Sequence, residues 1–309
     1  NKKMIGVRDP LGIRPLVLGK LDGCYILASE TCALDIIGAD FIREVENGEV
    51  VVITKDEVKS YHPFPEKPRR HCIFEYIYFA RPDSVVDGHS VYECRKSCGR
   101  QLASESHVQA DMVIPVPDSG VPAAIGYAEE SQIPFELGIT RNHYVGRTFI
   151  EPKQSIRSFS VKLKHNANRA LVEGKRIVLV DDSIVRGTTS VKIVQMMRDA
   201  GALEVHMRIA APPITHPDFY GIDTPSKDQL LAANMDLEEM CKYLGADSLA
   251  FLTVDGLYRA LGHPGGRNPE LPQYTDHCFT GDYPTSLIDE HGDENFNQLS
   301  LLAISDNND

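Results

Sequence analysis

The sequence predicts an α/β protein: a parallel sheet flanked by helices, preceded by a smaller strand-rich segment. Three observations predict it. From residue 71 onward, stretches of helical periodicity alternate with short apolar runs, as βαβ units require. Residues 1 to about 60 carry β-branched runs separated by Gly or Asp-Gly instead. Between the two textures lies a polar, proline-rich break containing Pro63, Pro65 and Pro68.

In chain order, "RPLVLGKL", "CYILAS" and "GEVVVITKDEVKSY" read as short strands, with Asp22-Gly23 as a hairpin turn. Helices are expected near 90–107, 121–131, 188–200 and 236–244. Between them, "DMVIPVPDS", "KRIVLVDDS", "VHMRIAAPP" and "SLAFLTV" read as buried strands. Gly201 suits the left-handed position just past the C-cap of the helix that starts near 188. After about residue 282 the chain turns acidic and Asn-rich, so 283–309 is expected to be a disordered tail. The chain opens at Asn1 and runs at once into the strand-like "MIGVRDP", from which a missing N-terminal part is expected.

Composition narrows the function. With 32 Lys and Arg against 44 Asp and Glu, the formal net charge is −12, a poor match to nucleic acid or to a membrane surface. The seven cysteines are scattered and include no C-x-x-C pair, which argues for a reducing, cytoplasmic setting rather than a disulfide framework. No apolar run approaches the length of a membrane span.

The strongest chemical signal is "RIVLVDDSIVRGTTS", residues 176–190. A strand over 177–180 delivers Asp181 and Asp182 at its carboxyl end, and a turn of Arg186, Gly187, Thr188 and Thr189 opens a helix. Glycine lets the backbone approach an anion, and the free N–H groups of the new helix hold it. The Ser183, Thr188 and Thr189 hydroxyls add donors. Two carboxylates beside a phosphate would repel it, unless they face sugar hydroxyls and a hydrated Mg²⁺. The competing reading, a buried strand ending in a solvated acidic turn, weakens once the Arg-Gly-Thr-Thr turn follows at this spacing. Pro117, Asp118, Ser119 and Gly120 form a second turn between strand and helix where a pyrophosphate fits; taken alone, an ordinary βα loop is the rival.

The 176–190 stretch resembles the phosphoribosyl pyrophosphate signature of type I phosphoribosyltransferases. "VRDPLGIRPL", "ASETCALDIIGADFIREVENGEVV", "FEYIYFARPDS", "VIPVPDSG", "NHYVGRTFI", "KHNANR" and "GALEVHMRIAAPP" resemble the amidophosphoribosyltransferase family in particular. The resemblance runs to about residue 288. It implies a remnant of an N-terminal nucleophile glutaminase domain over 1–68 and a phosphoribosyltransferase domain over 69–282. The activity implied joins glutamine-derived ammonia to C1 of phosphoribosyl pyrophosphate, releasing pyrophosphate and 5-phosphoribosylamine, the first committed step of purine synthesis. No residue matches the glutaminase nucleophile, so ammonia-dependent activity alone is expected, and Cys24 and Cys32 read as core cysteines.

Residue by residue, the resemblance makes Asp181 and Asp182 the ribose and metal-side carboxylates and Arg186 to Thr189 the phosphate cradle, to which the Ser183 hydroxyl adds a donor. Asp118 and Ser119 contact the pyrophosphate side, with Ser119, Asp181 and Asp182 on the Mg²⁺ side. Tyr144, Arg147 and Ile150 match a lid that builds an ammonia path, and Tyr78 matches another tyrosine lining it. By their charge, Lys164 and Arg147 are candidates to neutralise the departing pyrophosphate, with solvated surface charge as the alternative. Purine nucleotide inhibition and a homo-oligomer are also implied. Some relatives hold a [4Fe–4S] cluster through four cysteines; Cys72 and Cys278 match, Asp218 stands where those relatives have Cys, and the stretch before Cys278 lacks their paired cysteine. No iron–sulfur centre is expected here. A nucleobase phosphoribosyltransferase would lack the glutaminase-like segment, and a regulator that binds the same substrate would need a DNA-binding module, of which there is no helix-turn-helix signal.

Overall fold

Apolar alternation on both faces sets the centre of the fold, described here from a computed structural model that covers residues 2–55, 57–142 and 165–287. The N-terminal segment forms two small antiparallel sheets. One joins β1 (Met4–Val7), β5 (Val50–Ile53) and β6 (Val58–Tyr61). The other joins β2 (Val17–Leu21), β3 (Cys24–Ala28) and β4 (Asp40–Glu44). Asp22 and Gly23 both adopt positive φ, 49° and 82°, closing the β2–β3 hairpin as the Asp-Gly pair predicts.

Two features depart from the strand-only reading of this segment. Residues Thr31–Ile37 form a helix, α1, closed by Gly38 at φ 71°, and only Cys32 and Leu34 on it are buried. Cys24 is not a core cysteine: it begins β3 at the hairpin end and is exposed, whereas Cys32 is buried.

Glu49 stabilises the segment from within. Its carboxylate takes two hydrogen bonds from the Arg43 guanidinium (2.6 and 2.8 Å) and one from the Glu46 N–H (2.7 Å). Burial alone would raise its pKa, but these donors hold it at about 2. The folded pKa lies below the unfolded one, so the stabilisation is present above the unfolded value and is lost as pH falls through the folded value. Glu49→Gln is expected to cost about 2 kcal/mol at neutral pH, read as a lower urea midpoint, with the difference shrinking toward pH 3.

The larger part begins at β7 (His71–Cys72), which pairs in parallel with β16 (Tyr274–Thr275). A wide π-helical turn, Glu75–Phe79, follows, then the small hairpin of β8 (Val85–Val86) and β9 (His89–Ser90). Helix α2 (Val91–Glu105) is capped by the Ser90 hydroxyl, which accepts from the Glu93 N–H. Then come β10 (Met112–Pro115), α3 (Val121–Ser131), and a pair of short antiparallel strands, β11 (Ile139–Arg141) and β12 (His165–Ala167). The chain continues through β13 (Arg176–Asp181), α4 (Thr188–Asp199), β14 (Glu204–Ile209), α5 (Leu237–Leu244) and β15 (Ser248–Phe251).

Strands β10, β13, β14 and β15 make a four-stranded, wholly parallel sheet in that order, as the alternation of apolar runs and helices predicts. Val178 and Val180 face a core shared with α2, α3 and the turn after β7. Ile177 and Leu179 face the opposite core, with Ile193 and Met197 of α4 and Met240 and Leu244 of α5. Gly201 takes φ 93° just past the end of α4.

The proline-rich stretch around 63–68 is exposed, yet the segments on either side of it meet. Arg70 N–H donates to Leu11 O and Cys72 N–H to Ile13 O, and Leu11 and Ile13 join the core of the larger part. The boundary at 282 is placed slightly early. Tyr283 stacks on His277 (ring centroids 4.9 Å apart) and its hydroxyl donates to Pro217 O (2.9 Å), so this aromatic belongs to the folded body. Residues 288–309 of the expected tail lie outside the described residues.

Candidate functional site

Parallel strands end at one edge of the sheet, and the turns that leave them there form the site. β13 ends at Asp181. The Asp182 N–H donates to Asp181 Oδ1 (2.9 Å), and the Ser183 hydroxyl donates to Asp182 Oδ1 (2.5 Å). Both acids are buried, at 7% and 6% exposure. Burial pushes the Asp181 carboxyl well above the usual range, and the Asp182 charge adds to this. Asp182 is also raised by burial, against the pull of Ser119, Ser183 and Arg95. Two adjacent buried carboxyls whose ionisation is disfavoured fit a hard cation together with a hydroxyl-rich ligand, either of which would offset their charge.

Five residues further on, Gly187 takes φ 72° as the N-cap of α4, and no side chain caps that helix start. Its first N–H groups are therefore free to bind an anion. Thr188 and Thr189 are exposed beside them, and Arg186 donates from Nε to Gln229 Oε1 (3.2 Å). A Cβ at position 187 would lie 2.8 Å from Leu231 Cδ2 and 3.2 Å from Tyr243 Cε1. Gly187→Val therefore combines a crowded site with a left-handed backbone. It is expected to cost about 1–2 kcal/mol of stability and to weaken phosphate-ester binding at least roughly tenfold, measurable by calorimetric titration.

The second turn is held against the first. The Val116 N–H donates to Val180 O (2.8 Å), and the Gly120 N–H to Val116 O (3.0 Å). A Cβ on Gly120 would stand 2.5 Å from Val180 O, so only glycine lets this turn lie flat on the end of β13. Asp118 is exposed and paired with Arg141 at the end of β11. Asp118 and Ser119 line a cavity of about 540 Å³ together with Tyr78, Phe79 and Arg95. A second cavity, about 230 Å³, has Tyr78 and Phe79 as one wall and Ser183 and Cys278 among its other residues.

The structure thus gathers Asp118, Ser119, Asp181, Asp182, Ser183 and the Arg186–Thr189 turn at one sheet edge, with Tyr78 beside them. Tyr144, Arg147, Ile150 and Lys164 lie outside the described residues. Arg95 went unread in the sequence, although a signal existed: Val91, Cys94, Cys98 and Leu102 make the buried stripe of α2, and Arg95 is a charge set within it. Arg141 carried no comparable signal.

Cys72 and Cys278 are buried in one core, and Cys278 and Asp218 line the smaller cavity together. Burial pushes the Cys72 thiol up to about 12 and raises Cys278 as well. Asp218 is paired with His277 Nε2 (3.0 Å) and lies 3.8 Å from Arg14 Nη2. Two thiols and an already paired carboxylate do not supply the four thiolates of an iron–sulfur cluster.

The phosphoribosyl transferase domain family matches residues 97–213, which include the C-terminal part of α2, both turns and the acid pair. The amidophosphoribosyltransferase of Rhizobium etli is 65% identical over 307 residues, covering 97% of this chain and 62% of that protein. A chloroplastic amidophosphoribosyltransferase of Arabidopsis thaliana is 55% identical, covering 91% of this chain and 49% of that protein. Among solved structures, the glutamine phosphoribosylpyrophosphate amidotransferase of B. subtilis complexed with ADP and GMP superposes with a TM-score of 0.84 at 50% identity, over 92% of this chain and 62% of that one. This chain therefore spans between about half and three fifths of the length of these relatives. The parallel sheet with its two strand-end turns has the type I phosphoribosyltransferase fold. Residues 97–213 match the phosphoribosyl transferase domain family, within a chain similar to amidophosphoribosyltransferases over 91–97% of its length.

Proposed function

We propose that this chain carries the phosphoribosyl-transfer activity of an amidophosphoribosyltransferase. Phosphoribosyl pyrophosphate and ammonia would give 5-phosphoribosylamine and pyrophosphate, the first committed step of purine synthesis. The observation that carries the reading is the buried pair Asp181 and Asp182, set between an uncapped helix start at Gly187 and the Asp118–Ser119 turn. Asp181 and Asp182 accept hydrogen bonds from the ribose hydroxyls. The N–H groups after Gly187 and the Thr188 and Thr189 hydroxyls hold the 5′-phosphate. Ser119 and Asp118 face the pyrophosphate.

In the reaction the bond from C1 to the pyrophosphate oxygen breaks, its electron pair leaves with pyrophosphate, and the ammonia nitrogen bonds to C1 and gives up one proton. Asp181, Asp182 and Ser119 are the residues that would hold Mg²⁺, which neutralises negative charge on the leaving group. Tyr78 and Phe79, walling two cavities at the site, exclude water from a substrate that water would otherwise hydrolyse. No side chain needs to act as a covalent nucleophile.

Residues 1–68, with their two antiparallel sheets, are read as part of a glutaminase domain, and glutamine as the source of ammonia in the whole protein. Cytoplasmic location, a homo-oligomer and inhibition by purine nucleotides complete the proposal; the last is supported by the ADP and GMP bound in the B. subtilis structure. Incubating the chain with phosphoribosyl pyrophosphate, Mg²⁺ and ammonium chloride should release pyrophosphate. Release with adenine or guanine instead of ammonium would point to a nucleobase phosphoribosyltransferase, and silence with all of them would end the enzymatic reading.

A further inference from the structure

Arg95 is buried at 5% exposure, and among the described residues no carboxylate lies within ion-pair distance of it. A guanidinium taken out of water at such cost needs compensation. Here two backbone carbonyls supply it directly, with Asp182, Glu30 and Glu75 adding charge at longer range: Nε donates to Tyr76 O (3.1 Å) and Nη2 to Ala80 O (2.6 Å). Both carbonyls belong to the wide turn Glu75–Phe79 and the residue that closes it. Such a turn leaves its last carbonyls without partners of their own, so its shape depends on an outside donor. Arg95 grips it on either side of Tyr78 and Phe79, from a rigid fifteen-residue helix. Tyr78 itself is half exposed and stands at the cavity wall.

We infer that Arg95 is a positioning residue for the incoming nucleophile: by clamping the carbonyls of Tyr76 and Ala80 it fixes the Tyr78–Phe79 wall between the two cavities of the site. The inference rests on the functional reading above and deepens it. The phosphate turn at Gly187 and the acid pair hang on β13 and α4, and neither hydrogen bonds to the Glu75–Phe79 turn; Arg95 acts on Asp182 only through longer-range charge, which Arg95→Lys retains. A loosened wall should therefore disturb the approach of ammonia far more than the grip on phosphoribosyl pyrophosphate. Lysine retains the charge but offers one point of attachment instead of a planar fork, so it can hold one carbonyl well but not both.

The test compares Arg95→Met and Arg95→Lys with the unmutated chain, varying ammonium chloride and phosphoribosyl pyrophosphate in turn with Mg²⁺ present. Arg100→Met serves as control, since Arg100 lies on the same helix and pairs with Glu129 at the surface. For Arg95→Met, kcat/KM for ammonium should fall between roughly tenfold and a hundredfold, as expected when a reacting partner is misplaced by about 1 Å, while in Arg95→Lys, which keeps the charge acting on Asp182, KM for phosphoribosyl pyrophosphate changes less than about twofold. Arg95→Lys should recover part of the loss, and Arg100→Met should show none. In a double-mutant cycle, Tyr78→Phe and Arg95→Lys should be non-additive, because the two act through one turn. Equal losses for both substrates in Arg95→Lys, additive behaviour in the cycle, or an unchanged folded Arg95 variant would each overturn the inference. If Arg95→Met does not fold, Arg95→Lys and the cycle decide alone. Inactivity of the unmutated chain would overturn the functional reading and take this inference with it, whereas an active parent with indifferent Arg95 variants refutes the inference only.

Discussion

Asp181→Asn is expected to abolish pyrophosphate release and, at the same time, to raise the melting temperature of the ligand-free protein. Both effects have one cause. Asp181 is buried beside Asp182, and its pKa is raised well above the ordinary value, by burial first and by its neighbour's charge second. A folded pKa above the unfolded one means that the native state binds more protons than the unfolded state over that interval. Stability therefore falls as pH rises through it. Where both carboxyls are ionised, the buried pair holds charge that the surrounding protein cannot solvate. An amide of the same shape removes one of those charges, and each kcal/mol relieved should raise the melting temperature by about 2–4 °C for a domain of this size. The same amide cannot accept from a ribose hydroxyl as strongly or hold a divalent ion, so activity should fall by a factor of about 10² or more. Scanning calorimetry at pH 5 and pH 8, with the steady-state assay, checks both halves. A variant that is inactive but also less stable at pH 8 would mean that Asp181 serves the fold rather than the ligand.

Gly99→Ala should be among the most damaging single-methyl additions in the chain, although alanine is the better helix former. The two tendencies oppose each other. In an open helix the change would gain about 1 kcal/mol of propensity. Here the new Cβ would lie 1.9 Å from Ala123 O and 2.7 Å from Ala123 C, both backbone atoms of α3. A Cβ on Gly126 would make the reciprocal clash, 1.9 Å from Lys96 O. Because α2 and α3 touch backbone to backbone at these two glycines, no side chain can swing aside, and one helix must move. Overpacking of this kind costs typically 1–3 kcal/mol, and the rigid partner puts the expected loss near the top, at about 3 kcal/mol net of the propensity gain. Urea denaturation measures it. A midpoint within error of the parent would show that the two helices can separate freely. Because α2 carries Arg95 and α3 begins just after Ser119, the surviving folded protein should also turn over more slowly.

The parallel sheet was legible in the sequence because a strand covered on both faces leaves a dense record. Ile177 to Val180 are all apolar, and Gly187 and Gly201 mark the ends of the helix that follows. The acid pair and the phosphate turn were legible for a related reason: glycine at a tight turn and paired carboxyls at a strand end are local chemistry, written in consecutive residues. What was not legible depends on partners distant in sequence. Helix α1 buries only Cys32 and Leu34, too little apolar pattern to stand out among the surrounding strands. The pairing of β7 with β16 joins residues about two hundred positions apart through two residues on each side. The place of Arg95 within the apolar stripe of α2 is written in the sequence, but the turn it clamps is a tertiary fact. Asp218 was read as a departure from a cysteine pattern, but its pairing with His277 and Arg14 is a tertiary fact.

The account depends most on the placement of substrate at the end of β13, and a crystal structure of the protein with Mg²⁺ and phosphoribosyl pyrophosphate tests that placement directly. The predicted result has the 5′-phosphate on the N–H groups that follow Gly187, with the ribose hydroxyls hydrogen-bonded to Asp181 and Asp182. A phosphate bound elsewhere, with those two carboxyls making no contact to the sugar or the metal, would contradict it.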